Sequence, residues 1–202
     1  MREMLTYLAA ALPRFTSPAA RLLALQCALR ADTRGQVGLP TGLLSSMRLR
    51  GRRELWEELA HSGWLEMPDL KPANLKVRLL DAAVLDQAPG RSARRRAAHW
   101  ALHPAPLLVP PTAPHALRLT ALVLAAHTST QVHHSTDMDV LARLCGHSPH
   151  QTADLLDRLA ATGILTAWQH DRDTDEVLWQ LPRQQASSPH AARPRQPHSW
   201  DQ

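Results

Sequence analysis

Four arginines lie within six positions of the chain, at Arg48, Arg50, Arg52 and Arg53. A guanidinium group binds phosphate through two parallel hydrogen bonds and also matches the O6 and N7 atoms of guanine. The glutamates of residues 54–58 follow at once, within a helical pattern of apolar residues. The start of this helix therefore either contacts a polyanion or belongs to a well-solvated surface helix.

A second group of chemically capable residues is formed by one cysteine and several histidines. Cysteine and histidine are common transition-metal ligands, but the spacings match no zinc finger or ribbon and only one thiolate is available. We therefore expect helix-cap and surface histidines and no metal site. Neither a nucleophile signature nor a glycine-rich phosphate loop occurs, so we expect no enzyme and no cofactor. The group comprises His127, His133, His134, Cys145, His147 and His150.

The helix behind the arginines recurs 100 residues later. "ELWEELAHSGWL" (54–65) aligns without a gap with "DLLDRLAATGIL" (154–165), and in both the leucines fall on one helical face. Glycine follows each helix where a left-handed C-terminal cap is expected. Ser17-Pro18 and Ser148-Pro149 are typical helix starts.

Each copy has the same order of elements: helix, short strand, helix, helix and two-stranded ribbon. This order, with the "LxxxG-apolar-Leu" exit from the third helix, resembles the winged helix-turn-helix domain of bacterial transcriptional regulators. The second copy also carries "GHSPHQT", similar to the turn of those regulators, whereas the first copy has "RLRGRR" in that place. The resemblance covers about residues 17–81 and 114–182. It implies a mainly α fold with small β-ribbons (α+β) and two winged-helix domains in tandem.

Three further segments complete the predicted organisation. Residues 1–16 form a helical extension whose stripe of leucines at positions 5, 8 and 12 packs on the first domain or forms a dimer contact. Residues 82–113 form a basic, proline-flanked linker with a short helix in "RSARRRAAHWAL". Residues 183–202 are polar and aperiodic, which is typical of disorder.

The charge is distributed unevenly along the chain. The net charge is +5, and arginine supplies all but two of the 23 basic residues, a bias typical of high-GC bacterial genomes. Residues 17–81 carry net +3, residues 82–113 net +3 and residues 114–182 net −4. The first copy and the linker therefore suit an anionic partner better than the second copy does.

The resemblance implies a specific set of DNA contacts. The second helix of a helix-turn-helix enters the major groove, and its N-terminal residues meet base edges. Arg52 and Arg53 would open that helix, with Arg48 and Arg50 in the preceding turn. The other expected contacts are Lys71, Lys76 and Arg78 in the first wing, Arg94, Arg95 and Arg96 as secondary phosphate or minor-groove contacts, and His150, Gln151 and Thr152 in the second domain.

Alternatives remain open from the residues alone. Arg53 with Glu57, and Arg50 with Glu54, have the spacing of simple surface ion pairs. Tandem winged helices also serve as protein-interaction modules, as in the winged-helix subunits of bacterial condensins. A plasmid or phage replication or segregation protein that binds DNA would have the same sequence features. The acidic wing "HDRDTDE" (170–176) would repel phosphate, so the second domain is expected to dimerise, to bind a protein partner or to dock on the first domain.

Compartment and cysteine usage give weaker expectations. No run approaches the roughly 20 apolar residues of a membrane span. Cys27 and Cys145 each lie in a Leu/Ala-rich stretch, where a free cysteine is usually a small buried apolar residue. We expect a cytoplasmic protein, associated with the nucleoid when bound to double-stranded DNA, and a homodimer is compatible with this.

Overall fold

The computed structural model describes residues 1–69, 74–81, 89–128 and 134–182. The expected α+β class, with small antiparallel sheets, is confirmed. In chain order the elements are α1 (Arg2–Ala11), α2 (Pro18–Arg30), β1 (Gln36–Pro40), α3 (Thr41–Ser46), α4 (Arg53–His61), β2 (Asn74–Arg78), α5 (Arg91–Trp100), α6 (His115–His127), β3 (His134–Asp137), α7 (Met138–Cys145), α8 (Pro149–Ala161), β4 (Ala167–Asp171) and β5 (Glu176–Gln180).

Helix α2 lies at the centre of the molecule. It begins where the sequence predicts, because Ser17 Oγ accepts the amide of Ala20 and Pro18 occupies the first helical position. Every residue from Ala19 to Leu29 is buried, since α1, α4, α5 and α6 all pack around this helix. A helix covered on all sides has no polar face, which explains its largely apolar sequence.

The first copy contains a small antiparallel sheet. Strand β1 pairs with β2, with Val37 opposite Val77. Leu79, the residue after β2, forms a single bridge with Leu65 on the side away from β1. The segment expected to form the first strand of the ribbon thus contributes one bridge. The alternation of buried and exposed residues in β1 directs Val37 and Leu39 into the core.

The second copy contains a three-stranded sheet in the order β3-β5-β4. Strand β5 is central and pairs antiparallel with both neighbours, and Trp179 on this strand is fully buried. The order of elements is helix, strand, helix, helix and two strands, as in the first copy. In both copies the last strand lies between the other two extended segments.

The two copies share one continuous core. Their first helices, α2 and α6, pack against each other. Helix α1 contacts both α2 and the second copy, and the leucines of its stripe, at positions 5, 8 and 12, are all buried in the core. At the turn after α3, the carbonyl of Met47 accepts hydrogen bonds from His115 Nε2 and Arg118 Nη1, both at 3.0 Å. The short basic helix expected between the copies is α5, and it packs on α2.

A buried arginine also joins the copies. The Arg21 side chain, on α2, is 3% exposed and donates to the carbonyls of Pro13, Arg14 and Thr16. It lies against Gly146, which ends α7 with a left-handed φ of 71°. In the described ranges no helix has the length and apolar character needed to cross a membrane.

Candidate nucleic-acid interface

The turn between α3 and α4 carries the first arginines of the cluster. The chain reverses through two left-handed residues, Arg48 with φ 59° and Gly51 with φ 75°. A non-glycine residue in this conformation costs roughly 1–2 kcal/mol, so Arg48 is held there by its surroundings. Its Nη1 donates to the carbonyl of Thr112 at 3.1 Å, while much of the side chain remains exposed. Arg48 therefore links the turn to the segment between the two copies.

Arg52 and Arg53 lie at the start of α4, as expected, but each is engaged by a carboxylate. Arg53 Nε donates to Glu57 at 2.7 Å, which is the ion pair predicted by the solvated-helix alternative. Arg52 Nε donates to Glu54 at 2.8 Å, and this bond lowers the pKa of Glu54. The Arg52 and Arg53 side chains are 39% and 70% exposed. Exposed pairs contribute about 0–1 kcal/mol, so a phosphate or a base can displace them.

The N-terminus of α4 has no hydrogen bond from an N-cap side chain, in contrast with its counterpart α8. Its N-cap is Arg52, which provides no side-chain acceptor for the first turn. In α8, Ser148 is the N-cap, as the sequence predicts, and it forms a complete capping box with Gln151. Arg50 is exposed before α4 and, within the described residues, makes no ion pair with Glu54. At the start of α4 the exposed Glu54 carboxylate accepts its own backbone amide and pairs with Arg52, so an anion would have to displace it, whereas the start of α8 is closed by its capping box.

Glu58 is not a solvated carboxylate, contrary to the expectation for this glutamate series. Its two oxygens accept the backbone amide and the hydroxyl of Ser17, at 2.5 and 2.6 Å. Ser17 is the N-cap of α2, so Glu58 joins the start of α2 to the side of α4. This contact fixes the orientation of α4 against the core.

Strand β2 places two of the expected wing residues on the solvent side. Lys76 and Arg78 are exposed, and the intervening Val77 is buried. Gly38 of β1 lies opposite Lys76, which leaves the lysine side chain without a bulky neighbour across the strand pair. Lys71, the expected wing-tip contact, lies outside the described residues.

Helix α5 divides the three expected secondary contacts. Arg94 is 6% exposed, and its buried Nε makes no hydrogen bond within the described residues. The expectation of a phosphate contact at Arg94 is therefore corrected, because the packing of α5 on α2 turns this side chain inward. Arg95 and Arg96 are exposed. Arg91 and Arg30, which were not selected from the sequence, lie beside Arg95 and line the same cleft.

The residues expected to contact bases in the second copy, His150, Gln151 and Thr152, mostly interact with other residues of α8 or with its N-cap. Thr152 is fully buried and donates to the Ser148 carbonyl, so a base contact is excluded by burial. Gln151 is exposed, but its side-chain oxygen completes the capping box. His150 is exposed and lies 3.4 Å from the Asp154 carboxylate. This surface is thus less available to DNA than the start of α4.

The cysteines and histidines form no site in the described residues. Burial raises the pKa of Cys27 and that of Cys145 to about 12, and both are free and fully buried, as expected of small apolar residues. The described ranges contain no group of three or more His, Cys, Asp or Glu side chains arranged to hold a metal ion. His133 of the histidine group lies outside these ranges.

Comparison of the chain with protein-family models, with curated proteins and with solved structures found no match. The functional assignment therefore depends on the geometry of the chain itself.

Proposed function

We propose that the protein binds double-stranded DNA in a sequence-specific manner, as a bacterial transcriptional regulator of the tandem winged-helix type. The first copy would insert α4 into the major groove. The observation that carries the proposal is the uncapped start of α4, where Arg50, Arg52 and Arg53 are all solvent-accessible.

The electrostatics of the helix favour DNA contact over a merely solvated face. Positive side chains at a helix N-terminus oppose the helix dipole, which prefers anions there. The first turn of α4 carries one acidic residue, Glu54, against four arginines around the helix start, so the excess positive charge suits a ligand that supplies negative charge. A phosphate that displaces the Glu54 carboxylate, with guanine beside the guanidinium groups, would satisfy this requirement.

The arrangement of elements supports the winged-helix type. In each copy a strand, two helices and two further extended segments follow the first helix, and the last strand pairs between the other two. Lys76 and Arg78 lie on the solvent side of β2, where a wing can cross a phosphate backbone.

The second copy has a different role in this proposal. Its hairpin from β4 to β5 exposes Asp173 and Glu176, and its third helix is capped internally. An acidic hairpin repels the DNA backbone, so this copy supports α4 through the shared core and offers its surface to a protein partner.

The test is fluorescence anisotropy with a duplex selected from a random pool and with a scrambled duplex. The Arg52→Ala/Arg53→Ala variant is expected to lose preference for the selected duplex by tenfold or more, since each good base contact discriminates by about 1–3 kcal/mol. The matched control is Arg158→Ala/Arg172→Ala, which removes two exposed arginines from the second copy.

The control should retain the preference, because it changes only net charge. Binding by the wild type that is equal for both duplexes would contradict sequence-specific recognition. A preference that survives in Arg52→Ala/Arg53→Ala would show that α4 does not read the bases. Both measurements are made in the presence of competitor DNA and at fixed salt, since phosphate contacts alone depend steeply on ionic strength.

A further inference from the structure

A basic cleft lies between the C-terminal end of α2, strand β1 and helix α5. Its volume is about 690 Å³. Helix α5 packs along α2, and β1 is an edge strand, so within the described ranges no other helix or strand fills the space between them. We call this space, lined by Arg30, Lys76, Arg91 and Arg95, the α5 cleft.

The strand side of the α5 cleft is the edge of β1 that pairs with no other strand among the described residues, although the Asp32 amide donates to the Gln36 carbonyl there. The amide of Leu79 donates to the Gly35 carbonyl, which fixes the bonded positions of the ladder at odd-numbered residues of β1. By the alternation of antiparallel pairing, the amide and carbonyl of Gly38 point away from β2. Gly38 lines the cleft, and no atom lies within 4 Å of where its Cβ would be.

The charge of the α5 cleft is only partly compensated, by the Asp32 carboxylate, which interacts electrostatically with Arg91. Four basic side chains line it, against one carboxylate, Asp32. That carboxylate accepts the backbone amides of Arg34 and Gln36, at 2.8 and 2.9 Å, and is held in a turn. In the described part of the chain, no ion pair within 4 Å involves any of the four basic residues.

Arg30 is the deepest of the four cations. It is half-buried, and its Nη1 is shielded from solvent and makes no hydrogen bond in the described residues. Burial lowers the pKa of this guanidinium group. An unpaired buried donor carries a desolvation cost. Because Nη1 is shielded, an anion in the cleft would stabilise Arg30 through the charge of its guanidinium group and not through this donor.

We propose that the α5 cleft binds a phosphorylated small molecule of about nucleotide size. Ligand sites commonly have volumes of roughly 300–1,000 Å³, and guanidinium pairs bind phosphate bidentately. Leu29, Val37 and Pro40 add an apolar wall for the uncharged part of the ligand. The recessed position of Arg30 favours a small ligand over the convex backbone of a duplex.

Isothermal titration calorimetry with inorganic pyrophosphate and with ATP tests this site. The Arg91→Gln/Arg95→Gln variant removes two cations that line the cleft on exposed positions of α5. We expect its affinity for both probes to fall about tenfold or more, in line with the loss of charge-assisted hydrogen bonds. The matched control is Arg96→Gln/Arg143→Gln, which removes two exposed arginines outside the cleft and should change affinity less than about threefold for a screened surface charge.

Three results would overturn the proposal. The first is no heat of binding for either probe with the wild type at millimolar concentration. The second is an equal loss of affinity in both variants, which would indicate general electrostatic attraction. The third is displacement of pyrophosphate by duplex DNA, together with loss of DNA affinity in Arg91→Gln/Arg95→Gln, which would assign the cleft to the DNA backbone.

The α5 cleft shares Lys76 and Arg95 with the expected DNA contacts but none of the arginines at the start of α4, so the two proposals can fail separately. Arg52→Ala/Arg53→Ala should change the affinity of the α5 cleft for pyrophosphate less than about threefold, because neither residue lines the cleft and each acts on it only as a screened surface charge. Pyrophosphate binding that persists in a protein without duplex preference would refute the DNA proposal alone.

Discussion

Replacement of Gly146 by alanine should destabilise the protein through a specific clash between the two copies. Gly146 adopts φ 71°, and an added Cβ would lie 2.3 Å from Arg21 Nε and 3.0 Å from Arg21 Cζ. Arg21 cannot yield freely, because its guanidinium group donates to three backbone carbonyls and its side chain is buried. The substitution therefore either breaks these bonds or shifts α7 against α2.

The matched control is Gly163→Ala, at the end of α8. Gly163 has the same φ of 71°, and nothing lies within 4 Å of the place that an added Cβ would occupy. Both variants carry the left-handed conformational cost of roughly 1–2 kcal/mol. Only Gly146→Ala adds overpacking, at about 1–3 kcal/mol. Since about 1 kcal/mol shifts the Tm of a chain of this size by 2–4 °C, the two Tm values should differ by roughly 2–12 °C.

Thermal and urea unfolding followed by circular dichroism measure the difference. An Arg21→Ala background supplies a double-mutant cycle, in which the extra cost of Gly146→Ala should disappear. Equal destabilisation by Gly146→Ala and Gly163→Ala in the wild-type background would refute the reasoning, because it would mean that the Arg21 contact carries no energy.

Three further predictions concern the connections between elements. Glu58→Gln should lower the free energy of unfolding by about 1–2 kcal/mol relative to exposed Glu66→Gln, because the carboxylate accepts two hydrogen bonds from Ser17; urea denaturation measures this, and equal effects would contradict it. Burial raises the pKa of the Cys145 thiol to about 12, so it should not react with a thiol reagent at pH 8 until the chain unfolds, and rapid reaction in the native state would argue against the packing. Burial also lowers the pKa of His115 in the folded protein below its ordinary value of 6.5. As the pH falls through about 6.5 the unfolded state takes up the proton first, so the free energy of unfolding decreases. NMR titration should give a pKa below 6.5, and His115→Asn should reduce this loss of stability between pH 7 and 5.

The helix ends were predictable from the sequence because capping is local. Ser17 and Ser148 act as N-caps, and Gly63 and Gly163 adopt the same left-handed φ of 71°. Each of these signals depends on a few neighbouring residues and on backbone conformations that few residue types adopt. The end of α7 at Gly146 follows from the same rule.

The burial of Thr152 was also encoded locally, although it was not predicted. Thr152 precedes Leu155, Leu156 and Leu159 by three, four and seven positions, which places it on the buried stripe of α8. Thr152 was expected to contact a base because it lies near the helix start, but the helical periodicity places its side chain on the buried face.

The burial of Arg94 required knowledge of tertiary packing. Successive positions on a helix point about 100° apart, so three adjacent arginines span about 200° and can all face solvent only if the packed side lies opposite the middle one. Which of the three turns inward depends on the approach of α2, a contact between segments distant in the sequence. The α5 cleft was not predictable for the same reason, because Arg30 and Arg91 belong to helices that are far apart along the chain.

The packing of α2 against α6 gives the two halves of the protein a freedom that a homodimer lacks. In an isologous dimer both subunits present the same surface, so any mutation appears twice. Here the equivalent helices of two copies meet within one polypeptide, and each copy can change alone. The two copies differ in this way, since residues 17–81 carry a net charge of +3 and residues 114–182 carry −4. One half can specialise for an anionic partner while the other diverges, without either losing the core that both require.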